Sequence, residues 1–159
     1  MNITYINANR EEMMKVFRLV HSAHDPVEKG AFLTRASNHS HQKIADGIYF
    51  ALSRDEALVF AKKPHGHTYS HLLTCDLLGV SEQDVVNLVE NCNLIVKWNR
   101  GRHPKTRDAA TAFCRENKKK AILWRAQSSQ ESENWTELCL LTEHIPNTVL
   151  ITDVEELVE

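Results

Sequence analysis

Apolar and polar residues alternate over Ile3–Ala8, the period of a short strand. Met13, Val16, Phe17 and Val20 then recur at helical spacing. They follow Asn9-Arg10-Glu11-Glu12, which is close to a capping box. The spacing predicts a helix from Arg10 to about Ala23, stopped by Asp25-Pro26. Residues Glu28–Asp46 show no period and read as a long loop, a length that in a compact domain tends to carry function or motion. Gly47–Leu52 is a strand, and Ser53-Arg54-Asp55-Glu56 caps a short helix reaching Lys63. Pro64–His67 turns the chain into a second strong strand, Ser70–Leu78, closed by Gly79.

Ser81–Asp84 reads as the cap of a helix over Val85–Glu90, and Leu94–Trp98 as a strand. Thr106 caps a helix through Phe113 to Glu116. Strands follow at Ala121–Arg125, Glu137–Leu141 and Val149–Ile151, with a polar loop over Ala126–Asn134. Strands with intervening helices imply an α+β or mixed α/β fold. The 159 residues, 42% hydrophobic and without repeats or a clear linker, predict one domain over residues 1–159.

Charge adds an asymmetry that the formal net of −2 hides. Lys97–Arg125 carries ten basic residues against Asp108 and Glu116, a net of +8, whereas Ser128–Glu159 carries eight acids and no Lys or Arg. The asymmetry points to an anionic ligand, or to two segments that neutralise each other as neighbours. The near-zero total excludes nucleic-acid binding by bulk charge alone. No apolar run approaches the ~18 residues of a membrane span. The opening Met1–Tyr5 has no basic region followed by an apolar one, so a cytoplasmic protein is expected. Cys75, Cys92, Cys114 and Cys139 lie far apart and are expected as free, buried thiols.

Seven of nine histidines fall between His21 and His71, yet none of their spacings is the zinc-binding i, i+4 pair with an intervening glutamate. No metal site is expected. There is no GxGxxG, no GxxxxGK[ST] and no GxSxG, so the glycine-rich phosphate loops and the nucleophile elbow are absent.

The strand Gly47-Ile48-Tyr49-Phe50-Ala51 runs directly into the capped helix Ser53–Ala61. The strand Leu72–Gly79 comes next, and an acid later stands at the head of Glu137–Leu141 after a polar loop. In this order the chain resembles the ADP-ribosyltransferase superfamily. It also partly resembles the RES-domain NAD-consuming toxins, through Phe17-Arg18-Leu19, Arg35-Ala36-Ser37-Asn38 and the late segment from Thr106-Arg107 to Ala121–Arg125. The resemblance covers about two-thirds of the chain. It implies a single α+β domain with a split, bent, mixed or antiparallel sheet and short helices. With a helix over 10–23, Arg18 would be helical, and the first family strand would fall on Ile3–Ala8.

The resemblance further implies that NAD+ is the substrate and that its nicotinamide–ribose bond is cleaved, by ADP-ribosyl transfer or by hydrolysis, as in a toxin or effector. That cleavage builds positive charge on the ribose, which a carboxylate stabilises. Glu137 fits this role, with Glu133 and Glu131 behind it. Tyr49 would stack on the nicotinamide, Arg35 or Arg18 would pair with the pyrophosphate, and Ser53 would steady the site. The acceptor is a protein, a nucleic acid, a small molecule or water, and no membrane partner is expected. Two other classes compete: a non-catalytic binding domain on the same fold, and a nucleic-acid module using the basic 97–125 segment with Trp98 and Trp124 as stacking platforms.

Overall fold

The structure, a computed structural model, describes residues 5–8, 11–36, 44–61, 69–90, 104–127 and 134–157. The expected strand Leu94–Trp98, the turn Pro64–His67, Cys92, and the acids Glu131 and Glu133 lie outside them. The protein is α+β with a mixed sheet. Its strands are β1 (Tyr5–Ala8), β2 (Glu11–Val20), β3 (Gly47–Ala51), β4 (His71–Leu77), β5 (Val85–Asn87), β6 (Ala121–Gln127), β7 (Asn134–Leu141) and β8 (Val149–Glu156). Among the described residues, two α-helices, α1 (Arg54–Ala61) and α2 (Pro104–Glu116), accompany them. The chain divides into two compact units.

The first unit comprises residues 1–35, 50–81 and 146–159. Its central strand is β2, which pairs antiparallel with β4 from Met14↔Leu77 to Val20↔His71 and with β1 from Tyr5↔Met14 to Ala8↔Glu11. Phe17 also pairs with Ala51 at the end of β3. The helix expected over Arg10–Ala23 is therefore a strand. Met13, Val16, Phe17 and Val20 satisfy a helical period, but the buried residues Met14, Val16 and Val20 all fall on even positions, one face of a strand. Val16, Phe17 and Val20 suit a pleated surface, and long-range pairing overrides the local cap signal.

β4 also pairs with β8, and the register shifts between Thr74 and Cys75. Thr152 is the extra residue of this bulge, and its hydroxyl donates to the Thr74 carbonyl at 3.2 Å. The chain over residues 30–33 lies along β8, with amides of Gly30 and Leu33 donating to the carbonyls of Ile151 and Val149. It thus satisfies backbone groups that an edge strand leaves open. Helix α1 is capped by Ser53, whose Oγ accepts from the Glu56 amide at 3.1 Å. Ala51, Ala57 and Leu72 form a small core there, with Phe17, Leu19, Leu58 and Leu157 packed on it.

The second unit comprises residues 36–49 and 82–145, with strand order β5-β6-β7-β3. β5 is parallel to β6, from Val85↔Ala121 to Asn87↔Leu123. The helix expected over Val85–Glu90 is instead a 3-10 turn, Glu82–Asp84, followed by this strand. The β-branched pair Val85-Val86 favours the ladder.

Helix α2 begins at Pro104 rather than after a Thr106 cap; a missing amide costs nothing at the first helical position. It ends in a Schellman motif. The amides of Lys119 and Lys118 donate to the carbonyls of Cys114 and Arg115, with Lys118 left-handed at φ 55°. β3 passes so close to β7 that a Cβ on Gly47 would lie 2.0 Å from the Leu140 carbonyl oxygen, which requires glycine there.

Candidate functional site

One face of the second unit holds the candidate site. β6 and β7 pair antiparallel with Ile122↔Cys139 and Trp124↔Glu137, and partners in such a ladder project to the same side. Ile122, Cys139 and Leu141 share a buried cluster with Tyr49, Val86 and Leu88 and with Ala110 and Cys114 of α2, and Trp124 and Phe113 pack against it. Tyr49 and Glu137, widely separated in sequence, thus come together on the face that α2 covers.

Glu137 does not open its strand, as expected from the sequence; it is the fourth residue of β7, because β7 begins at Asn134. Its carboxylate is half-buried and close enough to Tyr49 and Cys139 to disfavour negative charge on either.

Tyr49 is 8% exposed. Its hydroxyl donates to the Ala45 carbonyl at 2.5 Å and accepts from the Ala45 amide at 3.1 Å. Burial, with the Cys139 and Glu137 charges behind it, pushes this phenol far above its ordinary range. The Cys139 thiol adds a bond to the same Ala45 carbonyl at 3.8 Å. The Asp46 amide donates to Thr111 Oγ1 of α2 at 3.3 Å, and the Thr142 amide donates to the Asp46 carbonyl. Tyr49 is therefore a bolt that fixes the entry to β3 beside β7.

Cys75, Cys114 and Cys139 are free and buried, as expected. Burial raises all three, the first two to about 12, so none offers a thiolate nucleophile at neutral pH.

The other sequence candidates belong to the first unit. Arg18 lies on β2 opposite Leu73, half-buried, and its charge favours ionisation of Tyr69 and Cys75. Arg35 is exposed and donates from Nη1 to the His24 carbonyl at 3.0 Å. Ser53 is occupied as the cap of α1.

Sequence reasoning missed two groupings. Ser70 Oγ accepts from the Ser22 amide at 2.8 Å and contacts His71 Nδ1 at 2.7 Å, while the rings of His21 and His24 lie 5.5 Å apart. The pairing of Trp124 with Glu137 was also unread, although a strand register for 121–127 against 134–141 would have yielded it.

The basic segment is partly neutralised where it is described. Arg115 Nε lies 2.6 Å from Glu143, Lys120 Nζ lies 4.0 Å from Asp84, and Lys119 donates to the Gln83 carbonyl at 2.7 Å. Glu143 belongs to the acidic segment, so the two oppositely charged stretches do meet. Among the described residues no group of three His, Cys, Asp or Glu side chains is arranged to hold a metal ion, and no helix is long and apolar enough to cross a membrane. Compared with models of protein families, with curated proteins and with solved structures, the chain returns no match.

Proposed function

We propose that the protein consumes NAD+, cleaving its nicotinamide–ribose bond by ADP-ribosyl transfer or hydrolysis on a sheet of the ADP-ribosyltransferase type. The observation that carries this reading is the juxtaposition of Glu137 on β7 with Tyr49 on β3, held without a glycine-rich phosphate loop. The position of Arg18 on a strand agrees with the resemblance to the RES-domain toxins.

In the reaction the bond between nicotinamide nitrogen and ribose C1′ breaks. Its electron pair leaves with the nicotinamide and neutralises the pyridinium charge. Positive charge develops on the ribose, and the Glu137 carboxylate stabilises it. Water or an acceptor then bonds to C1′ and gives up a proton. Tyr49 acts as a positioning residue: its ring and hydroxyl are engaged in the core, and it fixes the strand beside Glu137.

The test is incubation with NAD+ and measurement of free nicotinamide. Glu137→Gln keeps the side-chain shape and removes the charge, so turnover is expected to fall about a hundredfold or more with substrate binding retained. Equal turnover in parent and variant would exclude Glu137 from the chemistry. No nicotinamide release by the parent would favour a binding domain on the same fold.

A further inference from the structure

Around Glu137 the polar hydrogens of Tyr49 and Cys139 are committed, since both go to the Ala45 carbonyl. The indole of Trp124 packs on the edge of the same buried cluster, and no other side chain of that cluster carries a nitrogen-bound proton. Its Nε1 is sheltered from solvent and has no hydrogen-bond partner among the described residues. A buried donor without an acceptor is costly, and phenylalanine or leucine would fill space there with no polar group unmet. The acceptor that the ladder places beside it is Glu137. The two are direct partners across β6 and β7, and such partners project to the same side with Cβ atoms about 4.5–5.5 Å apart. Their side chains together span that gap, so rotation about their own torsions closes it with the strands unmoved. The charge of Glu137 already reaches Tyr49 and Cys139, members of the cluster on which the indole rests.

We infer that Trp124 is a positioning residue: with substrate bound, its Nε1–H donates to the Glu137 carboxylate, aims it at ribose C1′ and keeps it ionised. The inference rests on the NAD+-cleaving reading above. A half-buried carboxylate beside apolar side chains is drawn toward its neutral form, which cannot stabilise a ribose cation. A charge-assisted bond from an N–H favours the ionised form and fixes one oxygen, leaving the other for the ribose. The contact tightens with occupancy, as catalytic hydrogen bonds commonly do.

Two measurements test this. Carba-NAD+, whose nicotinamide sits on a carbocycle that cannot form the ribose cation, keeps the site occupied without reaction. In proton–nitrogen NMR spectra the Trp124 indole signal is identified by its loss when β-(3-benzothienyl)alanine, which keeps the bicyclic shape and replaces N–H by sulfur, stands at position 124. On addition of carba-NAD+ that signal is expected to move downfield in the parent, as a proton does on bonding to a carboxylate, and to move much less in Glu137→Ala. In turnover of NAD+, the benzothienyl chain is expected to lose about tenfold in kcat with KM within about threefold, and the acid limb of its kcat–pH profile should move up by about one pH unit. Trp124→Phe should do the same, whereas a residue that only fills space would be replaced by the benzothienyl ring without loss.

Carba-NAD+ that binds, shifting other signals, but leaves the Trp124 indole signal in place would overturn the inference. So would parent-like kcat and an unmoved pH profile with the benzothienyl ring. Both results leave the cleavage reading standing. A parent that neither binds carba-NAD+ nor releases nicotinamide from NAD+ overturns the reading and the inference together. Should Trp124→Phe fail to fold, the benzothienyl chain decides, because it preserves the packing.

Discussion

Asp76 shows how one residue can work against the strand that carries it. It lies buried in β4 between Lys15 of β2 and Leu150 of β8, and its Oδ1 has no hydrogen-bond partner among the described residues. Burial raises its carboxyl above the usual aspartate range, and the attraction of Lys15 offsets this only in part. The net upward shift means that the folded state disfavours the charge. Above the raised value Asp76 is ionised in both states, and its contribution to stability is unfavourable. As pH falls through that value the folded chain takes up the proton first, so stability rises. The gain is complete near the unfolded value of about 3.9. Asp76→Asn is therefore expected to be more stable than the parent at pH 7, with the gap closing as pH approaches about 4. Denaturant unfolding of both chains across that range measures it; a gap independent of pH would refute the assignment.

At the scale of elements, a short-range signal read true only where no strand partner competed: the Ser53 cap held, whereas the helices expected behind Asn9–Glu12 and Ser81–Asp84 gave way to strands. The Ser53 cap and the helix behind it depend on four consecutive residues, and the structure forms both, the helix over Arg54–Ala61, with Lys62 and Lys63 outside the described residues. Ser53→Ala is expected to cost about 1 kcal/mol, the usual penalty for an N-cap. For a chain of this length that lowers Tm by about 2–4 °C. NAD+ turnover at a temperature well below Tm should be unchanged, because capping explains the hydroxyl fully; a loss of turnover with an unchanged Tm would return Ser53 to the site. β2 failed for the opposite reason. Its apolar residues fit a helical period locally, while partners near Tyr5 and Leu77 in sequence decided for a strand. β5 repeats the lesson on three residues, whose partner strand begins at Ala121. Parallel pairing over such a separation leaves no local trace beyond β-branching.

At the scale of the whole molecule, the α+β class was legible, because strand and helix patterns alternate along the chain, while the mixed sheet was expected only on the resemblance. The proposed site was half legible. Tyr49 and Glu137 were proposed on the resemblance, each on its own strand, whereas the pairing of Trp124 with Glu137 emerges only through a ladder register, and the engagement of the Tyr49 hydroxyl only through a fold-specific contact with Ala45. Arg18, Arg35 and Ser53 proved to belong to a different compact unit from Tyr49 and Glu137. For the proposed reaction, binding and chemistry are separated by a measurement on the intact chain. A ligand that binds only the folded state stabilises it by about 2.7 kcal/mol at a hundred times its Kd. At about 2–4 °C per kcal/mol, that corresponds to a Tm rise of about 5–11 °C. NAD+ at millimolar concentration is expected to produce a rise of this order in the Glu137→Gln protein, which holds substrate without consuming it. The parent should show a smaller rise that decays during incubation, as NAD+ is converted to nicotinamide and a product lacking that ring. A shift that is equal in both proteins and constant in time would mean that the site binds NAD+ without cleaving it. No shift in either would mean that Glu137 and Tyr49 lie on a packed sheet face with no nucleotide to receive.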